Sequence, residues 1–337
     1  MNKERNALDV STADILIVGG GLVGAVAARA LSNSGLSVIV VDGQDPSLAT
    51  AAAFDGRASA VAAASKRLLT AIDIWPYLEK DVSPILDIRV ADGASPMFLH
   101  YDHEDVGVGP LGYLAENRHI RCAALSALEN DPNIIFLAPM RVEKLVRDSN
   151  LVTAILSDGS VVTASLAIAA DGRGSKTREN AGIKTTDWRY PQEAIVCTVE
   201  HEKPHAFIAH EHFLPAGPFA ILPLKGTPER PAQRSSIVWT ERAAHARQFV
   251  GLDDPSFIQE LSRRFGDFMG KISVVGPRFC HPLGLQFADT SVAQRLVLIG
   301  DADHGMHPIA GQGLNMGYRD VAALVDVLAE ARHVGLD

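Results

Sequence analysis

Short apolar runs, each closed by a glycine-rich turn and followed by a helix-period pattern, mark both ends of this chain. Residues 14–18 (DILIV) read as a buried strand. GGGLVG follows at residues 19–24, then a small-residue helix stopped by Gly35, then a second strand at 36–41. Near the other end, residues 296–299 form another strand-like run, which breaks at Gly300-Asp301 into a loop with a proline and further glycines. Val321, Leu324, Val325 and Leu328 then recur at the spacing of one helix face. Both loops bring free backbone N–H groups to a helix start, a seat for an anionic or electron-rich ligand.

The middle of the chain is more varied. AAAFDGRASAVAAASKRLLTAI predicts an alanine-rich helix directly after Asp55-Gly56-Arg57. Residues 75–112 carry turn signals and short strand-like pieces at 86–90 and 97–101, an excursion from the first unit. A helix over 116–128 and strands at 133–137, 141–146, 152–156 and 161–170 return to it, the last ending in Asp171-Gly172-Arg173. From 188 to 291 histidine, proline and aromatics increase, with strands expected at 194–200, 207–213, 219–224 and 236–240 and an amphipathic helix over 255–268. The expected fold is α/β. A Rossmann-like, doubly wound unit takes residues 1–74, 113–187 and 292–337, and an inserted antiparallel-sheet substrate domain takes 75–112 and 188–291.

Composition narrows the function. A formal net charge of −9 over 337 residues argues against nucleic acid as a partner. Three cysteines without a CxxC pattern suit reduced thiols in the cytoplasm. The first residues lack the apolar core of a signal peptide, and no window is apolar enough for a membrane span. The expectation is a cytoplasmic protein that can still dock on a membrane surface.

The opening βαβ unit matches the dinucleotide fingerprint. Gly19, Gly21 and Gly24 allow close approach of a pyrophosphate, and Asp42 at the end of the second strand suits a ribose hydroxyl, as in FAD or NAD. Arg57 is either a solvated residue beside a helix cap or a fork aimed at phosphate. Arg121 is either a cofactor contact or a surface charge. Asp171-Gly172 is a simple turn or a second approach to the dinucleotide. Asp301, Asp303, His304 and His307 do not make a convincing metal shell, and no metal is expected there or at the strand histidines His201, His205, His210 and His212. Phe213, Phe219, Leu222 and Pro223 are either pocket lining or core.

FDGRASAV, ENRHIRCAAL, AADGRGSKTR, the 188–224 stretch ending in GPFAILPL, and GDADHGMHPIAGQGLNMGYRD together resemble the flavin-dependent aromatic hydroxylases, nearest to those of ubiquinone biosynthesis. The resemblance spans essentially the whole chain. It implies FAD as cofactor and NAD(P)H as reductant, with dioxygen and a polyprenylated phenol as substrates. It also implies contact with a membrane surface or a quinone-biosynthesis complex. By the same resemblance, Gly19, Gly21, Gly24 and Asp42 hold the adenosine end, and Arg57 and Arg121 reach the phosphates or ribityl chain. Asp171 and Gly172 serve FAD and nicotinamide use, and Asp301, Gly313, Leu314 and Asn315 hold the ribityl and ring end. Pro308, Gly311 and Gln312 border the reacting ring. Asp303 stands where the family carries alanine, a charge expected to turn away or pair with an arginine. Family members continue with further C-terminal helices, so the chain is expected to stop short of theirs. Two alternatives stay open: a flavin monooxygenase for another aromatic substrate, and a non-catalytic flavin-binding component of a complex.

Overall fold

The computed structural model describes residues 10–51, 56–93, 95, 97–107 and 109–336. Phe54 and Asp55 of the FDGRASAV motif lie outside the described residues. The strand Val10–Val18 is central to an eight-stranded sheet, with Val38–Val41 and Val161–Ala169 parallel on either side. Ile134–Leu137 extends one edge and Leu296–Leu298 the other, both parallel to their neighbours. Its apolar residues alternate between two cores. Ile15 and Ile17 face the helices Gly24–Asn33, Asn117–Leu128 and Gln312–His333, while Leu16 and Val18 face the antiparallel strands Val142–Arg147 and Val152–Leu156. Burial on both faces is why this strand reads as an unbroken apolar run.

A second eight-stranded sheet is almost entirely antiparallel. Its order is His304–Gly305, Ile272–Ala288, Thr185–His201, Arg234–Arg242, Gly217–Leu224, Ile208–Leu214, Asp87–Asp92 and Phe98–Asp102. One face carries Ile195, Cys197, Phe219, Ile221, Ile237 and Trp239 against the helices Ala243–Val250 and Asp254–Phe265. Phe219 is therefore core, with its ring edge-on to Trp239, whereas Phe213 is exposed. A small third sheet joins Ala58–Ala62, Gly112–Glu116 and Val82–Ile85.

Three local expectations change. Residues 58–62 form a strand, and the alanine-rich helix starts only at Ala63. Alanine favours helix locally, but pairing with Gly112–Glu116 overrides that preference. Residues 75–112 divide three ways: Trp75 and Leu78 enter the core beneath the first helix, Val82–Ile85 joins the small sheet, and the rest joins the large one. The helix Ala243–Val250 and the long strand Ile272–Ala288 were not anticipated; the strand's polar and apolar positions do not alternate cleanly, and its pairing with Thr185–His201 shifts register twice.

Arg178 ties the two large sheets together. It is 3% exposed and donates to Ala302 O (2.7 Å), to Arg173 O (3.0 Å) and to Gln286 Oε1 (3.3 Å). Replacing it with methionine keeps the aliphatic bulk but strands three acceptors, two of them in buried bonds. R178M should lose about 2–4 kcal/mol of stability, read as a lower denaturation midpoint.

Candidate functional site

The turn after Val10–Val18 is shaped by what a side chain would strike. Gly19 has φ 103°, and a Cβ there would fall 2.4 Å from Ala170 O. A Cβ on Gly24 would fall 1.9 Å from Gly19 O, so the first helix can pack this close only with glycine. At Gly21 nothing lies within 4 Å of the corresponding direction, leaving an open side on the turn. The helix Gly24–Asn33 starts without a side-chain cap; the Ala25 N–H is bonded to Gly21 O at 3.0 Å, and the end of the helix dipole faces the open turn, where an anion is favoured.

Asp42 sits across from this turn. Its Oδ2 accepts the Gly20 N–H at 2.7 Å and its Oδ1 the Gln44 N–H at 2.7 Å. Gly21, Asp42, Gln44, Pro46, Arg121 and Phe136 line one recess. Arg121 is only 8% exposed and donates to Ala49 O at 2.9 Å, which excludes the surface-charge alternative. Arg57 is exposed and leads into the strand Ala58–Ala62. The next helix starts only at Ala63, so Arg57 is an exposed residue at the start of a strand, with no helix cap beside it.

The Asp171 carboxylate is engaged locally. One oxygen accepts the Ser175 hydroxyl (2.5 Å) and the other accepts the Thr177 N–H and hydroxyl (3.1 and 2.9 Å). It thus holds the start of the short helix Lys176–Asn180, while the adjoining backbone lies against Gly19. Gly172, at φ 81°, has open space where its side chain would be.

The two glycine loops meet at Val23. A Cβ on Gly300 would lie 3.2 Å from Val23 Cγ2, and one on Gly317 would lie 2.7 Å from it. The Gly300 N–H and His304 Nε2 both bond Asp320 Oδ2 at 2.8 Å. Of the acid–histidine cluster seen in the sequence, His304 therefore clamps this loop to the final helix. Among the described residues Asp303 makes no ion pair with an arginine, though Arg178 attracts it; it is hydrogen-bonded to Ser291, and burial raises its carboxyl above the usual range. Asp301 is exposed on the turn Gly300–Ala302.

Pro308 and Gln312 are exposed, Gly313 lies beside Met306, and Leu314 packs on the first core. The helix Gln312–His333 starts from Gly311, at φ 60°, without a side-chain cap. Asn315 is 2% exposed, and its amide is fully used. Oδ1 accepts from Ala62 N (2.9 Å) and Ser65 Oγ (2.7 Å), and Nδ2 donates to Ala60 O (2.8 Å) and Gly311 O (3.1 Å). Its side chain has no capacity left for a ligand; it positions the helix start. Asp320, Arg178, Ser65 and Val23 were not singled out as site residues from the sequence, because their partners are distant along the chain.

An open glycine turn bonded to an acid at the second strand, with a second uncapped helix packed against it through Val23, defines a dinucleotide-binding flavoprotein fold whose residues fit FAD. The chain matches the FAD binding domain family over residues 12–333. It is 53% identical to ubiquinone hydroxylase UbiL of Rhodospirillum rubrum, over 96% of this chain and 74% of that protein. It is 33% identical to 3-demethoxyubiquinol 3-hydroxylase of Escherichia coli, over 96% of this chain and 81% of the other. Among solved structures, p-nitrophenol 4-monooxygenase PnpA of Pseudomonas putida shares the fold with a TM-score of 0.77 at 17% identity, covering 98% of this chain and 82% of that one. The chain belongs to the FAD binding domain family and, within it, to the flavin-dependent aromatic hydroxylases; its cofactor is FAD.

Two outcomes follow. N315L leaves the Ala60 carbonyl and Ala62 N–H unpaired in the interior; it should cost about 2–4 kcal/mol and weaken FAD retention, measured by denaturation and by flavin content. His304 has a raised pKa, mainly from its hydrogen bond to Asp320. That stabilisation is complete below the ordinary histidine value and is lost as pH rises through the raised one. The stability gap between wild type and H304Q, measured without FAD, should therefore be larger near about pH 6 than near about pH 9.

Proposed function

We propose that this protein hydroxylates the aromatic ring of a polyprenylated phenol in ubiquinone biosynthesis, as an FAD-dependent monooxygenase using NAD(P)H and dioxygen. The observation that carries this reading is the 53% identity to UbiL across 96% of the chain, in a protein whose two glycine loops both suit FAD. When bound, FAD accepts hydride from the nicotinamide cofactor and activates dioxygen for insertion into the ring.

The chain's own residues supply place and charge. Asp42, oriented by the Gly20 N–H, takes a hydroxyl of the adenosine ribose. The uncapped starts of the two helices supply N–H groups: the first to the pyrophosphate, the second to the electron-rich edge of the flavin ring. Arg121 and Arg57 approach from the phosphate side, and Asp301 offers a carboxylate to the ribityl hydroxyls. Gly172 leaves the Asp171 loop open to the cofactor, and Gly313 and Leu314 lie on the first turn beside the ring. Pro308, Gly311 and Gln312 border the reacting atoms, and Asn315 holds that border by fixing the helix to the strand Ala58–Ala62. Among the described residues no helix is long and apolar enough to cross a membrane. A lipid-tailed substrate would instead bring the protein to a membrane surface or to a quinone-biosynthesis complex.

The test is turnover by the FAD-loaded protein. With a polyprenylated phenol, NAD(P)H oxidation should rise and the product should gain one oxygen by mass spectrometry. A strain lacking the gene should accumulate the intermediate without that hydroxyl. Stable FAD binding with no oxygenated product from any phenol, together with unchanged quinone content in the deletion strain, would overturn the reading in favour of a non-catalytic flavin-binding component.

A further inference from the structure

The large sheet uses only one face for its own core. Along Arg234–Arg242, Ile237 and Trp239 enter the aromatic cluster, so Ser236, Val238 and Thr240 point the other way. Pairing carries this second face across the sheet: Val238 lies opposite Ala220, Ala220 opposite Glu211, and Glu211 opposite Val90. One step along the same face, Ala209 and Leu222 pack with Ala58 and Ala60. The Cβ of Ala60 is 3.2 Å from where a side chain on Gly311 would begin. On its other side, Phe279, opposite Val196, presses on Gly56 beside Arg57. The face therefore looks toward the helix start that borders the flavin ring.

Glu211 is an acid set among apolar neighbours on this face. Ala209 and Phe213 flank it on its own strand, and Ala220 and Val90 lie across from it. It is half-buried, and among the described residues it has no hydrogen-bond or ion-pair partner. Burial alone pushes its carboxyl up to about 7. Nearby on the same face, the Ser236 and Thr240 hydroxyls are buried and, among the described residues, have no hydrogen-bond partner. A carboxyl held without a partner in apolar surroundings costs stability unless a ligand completes it.

We propose that Glu211 receives the ring hydroxyl of the phenolic substrate, accepting its hydrogen bond and taking its proton as the ring is oxygenated. This rests on the function proposed above and names the residue that selects a phenol. In the proton transfer the phenol O–H bond breaks, its electron pair stays on oxygen, and the proton forms the O–H of the Glu211 carboxylic acid. The negative charge moves from the carboxylate to the ring oxygen, which enriches the ring in electrons for attack. Return of the proton to the product oxygen restores the carboxylate. A carboxyl with raised proton affinity is closer to the phenol range of about 10 than an ordinary glutamate, so the transfer is less uphill.

The test titrates the FAD-loaded full chain with 4-hexylphenol and with its methyl ether, 4-hexylanisole, each followed by flavin absorbance. Wild type should prefer the phenol by about tenfold or more, and E211A should lose the preference while keeping its flavin content. E211Q, which keeps shape and a hydrogen-bond acceptor but cannot take the proton, should retain part of the preference and lose about tenfold or more in kcat with little change in KM. Equal binding of the two probes by wild type, no binding of either, or a preference that survives in E211A would overturn the proposal. A wild type that prefers the phenol through Glu211 yet yields no oxygenated product would instead count against the function and leave the binding role standing.

Discussion

The amide of Asn315 makes four hydrogen bonds and joins two regions of the chain that lie far apart, residues 60–65 and the start of the final helix. It fixes the first turn of the final helix to the strand Ala58–Ala62 and to Ser65. That one buried amide sets where the helix start points, and the loop that Asp320 holds from the same helix depends on that direction. Burial makes the arrangement rigid: with every donor and acceptor satisfied, any movement of the helix start exposes an unpaired polar group to the interior. Asp320 repeats the device one turn further on, gripping Gly300 and His304 through a single oxygen.

Close backbone approach is the second constraint. Gly19, Gly24, Gly300 and Gly317 each stand where a Cβ would strike another part of the chain, and Val23 fills the space between the two loops. The absence of side chains at these contacts lets the first and final helices and the Gly300 turn pack closely around Val23. The same packing explains why Asp171 works on its own loop: its oxygens hold Ser175 and Thr177, and the backbone beside it forms the floor under Gly19.

The inserted sheet divides its labour by alternation. One face is dense with aromatic rings and closed by two helices. The other carries Glu211 among apolar neighbours, with no hydrogen-bond partner for its carboxyl among the described residues, and reaches Ala58 and Ala60 through Ala209 and Leu222. Apolar walls around one carboxyl are the arrangement by which a site can exclude water and still recognise the polar end of a substrate.

Much of the fold was legible because its signals are local. The opening strand, glycine turn, helix and second strand lie within residues 10–41, and Asp42 follows at the expected position. The final loop and helix were equally plain, and the motifs in order pointed to the flavin hydroxylases. What the chain order could not convey was pairing at long range. The strand Ala58–Ala62 looked helical because alanine carries no β signal of its own; Gly112–Glu116, more than fifty positions away, makes it a strand. Arg121 could have been a surface charge until the fold buried it, and Phe219 could have been pocket lining until alternation placed it in the core. Asn315 matched a cofactor motif, but tertiary contacts consumed its amide. By itself, the sequence determined the ligand class and the local turns, since these depend on residues close together. Only the tertiary structure decided which polar groups remain free for chemistry, because a side chain is free or spent according to what the rest of the chain brings against it.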